Sequence, residues 1–235
     1  MKNIVMNKPK PLTYLLYAMV AFAFLGLEFG VLFLSRIIDG RSLNQIGNWP
    51  IHWYGAIAHW TITMMVWLIG VYLIVSWMKK RKIFKDLIDF KWSKRVALLI
   101  VISIITVIIS AVLQMLINDT EIPQVYSEYQ GFVNMYGDQA LIVTIFQVLY
   151  YFVEMMLVFI MLVLFQKAGE LIFKNIYIPY GSIGLMLTWG MIHFVSHPSG
   201  ALGVTIWALI PGLLYVYGKK SFLPVYILLV LGFLI

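Results

Sequence analysis

The chain alternates long apolar runs with short polar stretches, and the apolar runs have the length of membrane-crossing helices. Runs over about 12–37, 56–78, 95–117, 139–166, 178–197 and 200–217 can each cross a hydrocarbon core ~30 Å thick at 1.5 Å of rise per residue. A seventh run, 222–235, is shorter and reaches the last residue without a polar flank, so it predicts a tilted or interfacial helix. The pattern predicts an all-α polytopic transmembrane helical bundle of about seven spans. The first run is too long for a signal-peptide core and lacks a small-residue cleavage site, which predicts a retained span. There is no internal repeat and no low-complexity tract.

Composition agrees with that pattern. The 235 residues are 62% hydrophobic and 11% charged, with a mean hydropathy of +0.92, more apolar surface than one soluble core hides. The net charge of +7 and pI near 9.5 are those of a nucleic-acid binder, yet the cations sit between apolar runs, where they set topology, so no nucleic-acid role is expected. Fifteen of the 17 Lys and Arg fall in the N-terminal segment, in 79–95, at Lys167 and Lys174, and at Lys219 and Lys220. Arg36 and Arg41 lie in the alternate set of connections with Asp39, Asp119, Glu121, Glu128 and Asp138. Seven alternating crossings satisfy this pattern with the N-terminus cytoplasmic and the C-terminus outside. The segment 118–138 reads as an acidic external loop. The segment 79–95 reads as a basic cytoplasmic loop with an interfacial helix lying on anionic headgroups.

Ionisable residues at membrane depth are expensive, so each is a functional candidate. The spans contain Glu28, His59, Glu154 and His193, with His197 at a helix end and His52 in a loop. Glu28, between Gly26 and Gly30, predicts a hydrogen-bonded contact between closely packed helices. His59 beside Trp60 predicts an amphipathic ring at the interface. Glu154 has no cation on its own helix and must be satisfied from another. His193 and His197, spaced i, i+4, stack on one helix face, and two His with a Glu form a zinc-like ligand set whose open position would hold a water. The pattern lacks the Glu after the first His that marks zinc-protease helices. At 1.5 Å per residue, Glu154 lies ~20 Å and His193 ~8 Å from the outer ends of their spans, a difference in depth that counts against one shared ion. With no cysteine in the chain, any metal site depends on His and carboxylate.

From 139 to 235 the chain resembles the CPBP family, the Abi or type II CAAX-protease-like intramembrane metalloproteases. Glu154 stands at the family's paired glutamates, and Trp189-Gly190-Met191-Ile192-His193, with its His 39 residues after Glu154, fits the family's aromatic-x-x-x-His motif. Gly212-Leu213-Leu214-Tyr215 and the stretch from Gly218 to Pro224 read like its last inward turn. The second glutamate and following Arg are absent, and Leu228 and Gly232 occupy the places of the third-motif His and Asn. The resemblance implies a CPBP-like core over 139–235 behind N-terminal helices over 1–138. It implies Glu154 as catalytic base and His193 with His197 as zinc ligands in a metal-dependent endopeptidase acting on peptide or membrane-protein substrates. The departures imply the alternative: a catalytically degraded member serving as a binding scaffold or bacteriocin self-immunity protein. A transporter is disfavoured, since no repeated broken helices are apparent. High Lys and Ile without cysteine fit a bacterial cell membrane.

Overall fold

The protein is all-helical in a computed structural model that describes residues 9–40, 50–118, 124–196 and 207–234. Its helices are α1 (Pro11–Ile38), α2 (Trp53–Lys80), α3 (Phe84–Leu87), α4 (Lys94–Asn118), α5 (Gln124–Tyr136), α6 (Ala140–Phe173), α7 (Tyr180–Leu185), α8 (Met191–Ser196), α9 (Leu209–Tyr217) and α10 (Phe222–Leu234). A 3₁₀ turn, Gly137–Gln139, joins α5 to α6, and a π turn, Met186–Gly190, joins α7 to α8. Pro11 opens α1, where its missing N–H costs nothing. The Asp39 carboxylate accepts from the Ile51 and His52 N–H groups at 2.8 and 3.0 Å, tying the end of α1 to the start of α2.

Four helical stretches among the described residues are long and apolar enough to cross a membrane: Pro11–Ile38, Trp53–Lys80, Lys94–Leu113 and the continuous run Gln124–Phe173. The later apolar runs correspond to shorter pieces, α7 through α8, α9 and α10. At 34 residues, or ~51 Å, α6 is longer than a hydrocarbon core is thick. Residues 157–166 of α6 are all buried, nearly three turns with no face left for lipid. A helix apolar all round belongs inside. α1, α2, α5, α7 and α10 pack around it, and α4 is held outside through α10. By contrast, α1, α2 and α4 keep most of their apolar side chains on the surface, as lipid-facing helices do.

The helix ends sort by charge. Tyr17 stacks on Trp77 at 3.7 Å between ring centroids, which brings the start of α1 to the end of α2. At that end Asp89 exchanges main-chain hydrogen bonds with Lys220 and Phe222, the Arg95 guanidinium donates to the Tyr217 carbonyl, and Glu170 pairs with Lys167 and Lys220 at 3.3 and 3.6 Å. The basic segments therefore meet at one end of the bundle. At the opposite end Tyr136 donates to the Pro50 carbonyl at 2.6 Å, beside the Asp39 contact.

Several local expectations are corrected. The segment 118–138 is not plain loop, because α5 buries Phe132 against Trp60 with ring centroids 5.6 Å apart. The expected interfacial helix in 79–95 is one turn, α3; Leu87 and the flanking Ile83 and Ile88 face protein, so the helix itself presents no apolar stripe to lipid. Gly26 and Gly30 do not mediate close packing; a Cβ at either would meet nothing within 4 Å. Close approach falls on Gly181, where a Cβ would stand 2.5 Å from the Leu162 carbonyl oxygen, and on Gly212, against the Ser182 hydroxyl.

Candidate functional site

The middle of α6 carries four buried side chains with polar groups, Gln147, Tyr150, Tyr151 and Glu154, within about two turns. Tyr150 and Tyr151 are adjacent, so their side chains leave the helix ~100° apart and reach different neighbours. The Tyr150 hydroxyl donates to Glu28 Oε1 on α1 at 2.7 Å, and His59 Nε2 on α2 lies 3.4 Å from the same oxygen. The Tyr151 hydroxyl donates to Glu128 Oε1 on α5 at 2.8 Å and accepts from the Gln147 side-chain amide at 2.9 Å. Trp67 completes the wall: its indole stands 4.7 Å from the Tyr150 ring and donates to the Phe24 carbonyl at 2.8 Å. Glu28 thus joins three helices, as a hydrogen-bonded interhelical residue should. His59 is fully buried in this cluster and is not the interfacial ring expected from its neighbours.

Glu154 lies one turn beyond Tyr150 and is 7% exposed. Its partner is the Trp189 indole, whose Nε1–H donates to Glu154 Oε1 at 3.1 Å. Trp189 in turn connects to His193: the rings meet edge to face at 4.7 Å, and His193 Nδ1 lies 2.7 Å from the Trp189 carbonyl oxygen. A carbonyl only accepts, so that contact puts a proton on Nδ1 and limits any metal to Nε2 of the ring. The π turn carrying Trp189 inserts an extra residue into the continuous helix from Tyr180 to Ser196 and changes the direction of the side chains after it. Thr188 supports the turn by donating to the Gly184 carbonyl at 2.7 Å.

Glu154 and the aromatic-x-x-x-His segment, 35 residues apart at Trp189, are therefore brought together, with an indole between the carboxyl and the imidazole. The expected difference in depth is bridged by Trp189, which sits one turn, ~6 Å, inward of His193. His197, the second expected ligand, lies outside the described residues. Among the described residues, no three His, Asp or Glu side chains are grouped as a metal's ligands would be. Glu154 Oε1 accepts from Trp189 and His193 Nδ1 is turned to a helix carbonyl, which leaves Glu154 Oε2 and His193 Nε2 as the atoms of these two side chains that could face the zinc implied by the CPBP resemblance, with the Trp189 indole between them. Two donors of this cluster were not read as such from the sequence: Tyr150, which carries no motif signal, and Trp189, which entered only as the aromatic of the aromatic-x-x-x-His motif. Their cue in the sequence is the need of Glu28 and Glu154 for donors, which a neutral hydroxyl or indole meets as well as a cation.

No family model matches the chain, and neither curated proteins nor solved structures give a match. The functional reading rests on this chain's own residues.

Proposed function

We propose that the chain is a multi-pass protein of a bacterial cell membrane, with seven crossings and a cytoplasmic N-terminus, built on a plan like that of the CPBP proteins. Its core, centred on Glu154, Trp189 and His193, serves to bind a peptide or membrane-protein partner, as a scaffold or bacteriocin self-immunity protein would, and not to hydrolyse it. One observation carries this reading: the Glu154 carboxyl accepts from the Trp189 indole N–H, and that indole stands between the carboxyl and the His193 ring, which it meets edge to face at 4.7 Å. Leu228 at the third-motif His position points the same way.

A second reading, a metal-dependent intramembrane endopeptidase with Glu154 as base and His193 and His197 as zinc ligands, is favoured by the meeting of Glu154 with the Trp189–His193 segment. Metal analysis of the full chain, purified in detergent, separates the two. The binding reading expects no stoichiometric zinc in the wild type or in a His193→Ala, His197→Ala variant. One zinc per chain in the wild type, lost in the variant, would overturn it and make peptidase assays the next step.

A further inference from the structure

We infer that the basic end of the bundle is a preorganised binding surface for anionic phospholipid headgroups, an inference that rests on the helices crossing a membrane. Membrane topology needs only a sufficient number of Lys and Arg in a connection; it does not need them held in place. Here they are held. The connection from α2 to α4 is anchored from beneath by Ile83, Leu87 and Ile88, which are 2, 1 and 6% exposed. It is fixed along its edge, where the Asp89 N–H donates to the Lys220 carbonyl at 2.9 Å and the Phe222 N–H donates to the Asp89 carbonyl at 2.8 Å. The Tyr215 hydroxyl adds a third tie by donating to the Leu87 carbonyl.

The outer side of the same connection carries the groups a lipid surface takes. Phe90 and Trp92 are 60 and 69% exposed, and Lys85, Lys91 and Lys94 are exposed beside them. Aromatic rings at headgroup depth flanked by cations are the anchors of a membrane–water interface. The backbone gives an independent sign. Among the described residues, every non-glycine with positive φ is a lysine, Lys82, Lys174, Lys219 and Lys220, and all four follow helix ends on this side. Glycine is the favoured residue at such positions, so lysine there retains charge at a conformational cost. The dipoles of the preceding helices favour cations in their last turns, but that preference does not require the left-handed position itself. Part of this charge is taken up within the protein. Glu170 pairs with Lys167 and Lys220, and the Asp89 carboxylate accepts from the Lys91 N–H at 3.0 Å. A surface whose backbone is already fixed loses little chain freedom when it takes up headgroups.

The test uses the full chain reconstituted in phosphatidylcholine vesicles containing either brominated phosphatidylglycerol or brominated phosphatidylcholine at equal mole fraction. The quenching of Trp92 is read as the difference between the wild type and Trp92→Phe. Phosphatidylglycerol is expected to be enriched about five-fold around Trp92 at low salt and to approach parity at high salt. The enrichment should be lost in a variant with Lys82→Gln, Lys85→Gln, Lys91→Gln and Lys94→Gln; the salt series on the wild type stands alone if that variant does not fold. Equal quenching by both lipids at low salt overturns the inference, as does enrichment that survives both salt and the substitutions. Absence of quenching by either lipid at any tryptophan would instead overturn the membrane reading on which the inference depends.

Discussion

A carboxyl on a membrane-spanning helix persists only where its lone pairs meet donors, and for Glu154 the donor found is neutral. Removing that donor leaves a buried acceptor unmet, which costs ~1–3 kcal/mol. Trp189→Phe, which keeps the ring and deletes the N–H, should lower the unfolding free energy by about that much, read as a lower thermal midpoint in detergent. Glu154→Gln keeps an oxygen for the indole and should cost less than half of it. Equal losses from the two substitutions would mean that the 3.1 Å contact does not hold Glu154 in place. The need of Glu154 for a partner on another helix was legible in the sequence, because the neighbouring Val153 and Met155 offer none. The partner itself was not. Expectation went to His193 and His197, whereas the indole one turn inward of His193 reaches the carboxyl, and nothing in an apolar run announces the π turn that aims it. The same limit hid His59, whose place beside Trp60 looks interfacial until α1 and α6 bring Glu28 and Tyr150 to it.

Among the helices, those legible in the sequence are the ones whose length alone decides the matter: α1, α2 and α4, together with most of α6. α6 runs on to Phe173 past Lys167 and Glu170, polar enough to suggest an end at 166, because Glu170 pairs with both Lys167 and Lys220. α5 was hidden for the opposite reason, since its sequence is polar on average and only Phe132 is buried among its residues. Glycine spacing also misled, because close packing depends on what stands opposite, which spacing does not reveal. Gly181 and Gly26 make this testable. A Cβ at Gly181 meets main chain at 2.5 Å, so Gly181→Leu should destabilise by ~1–3 kcal/mol through forced separation of α7 from α6. Gly26 stands in open space within α1, so Gly26→Ala should be neutral or gain up to ~1 kcal/mol from helix propensity. Thermal unfolding of the two variants checks both signs, and a gain from Gly181→Leu would contradict the α6–α7 contact.

Across the whole molecule, charge and hydrogen bonding divide the bundle into two ends. The connections 81–93 and 218–221 are joined through Asp89, and both carry lysines. The connection after α1 and the α5–α6 corner are joined through Tyr136 and Pro50, and they carry Asp39 and Asp138. The same partition was read from the distribution of Lys and Arg along the chain, and the packing gives it a physical basis: Asp89 and Lys220, 131 residues apart in sequence, can share one face only if the helices between them return to it. Since the chain has no cysteine, single thiols report on this directly. Lys85→Cys and Asp138→Cys, both at exposed positions, should react with a membrane-impermeant maleimide from opposite sides: Asp138→Cys in intact cells, Lys85→Cys only after permeabilisation. Reversal of the two accessibilities would keep the crossing and reject the cytoplasmic N-terminus. Reaction of both from one side would reject the crossing itself, because α6 alone, with ten consecutive buried residues between those ends, would no longer separate them.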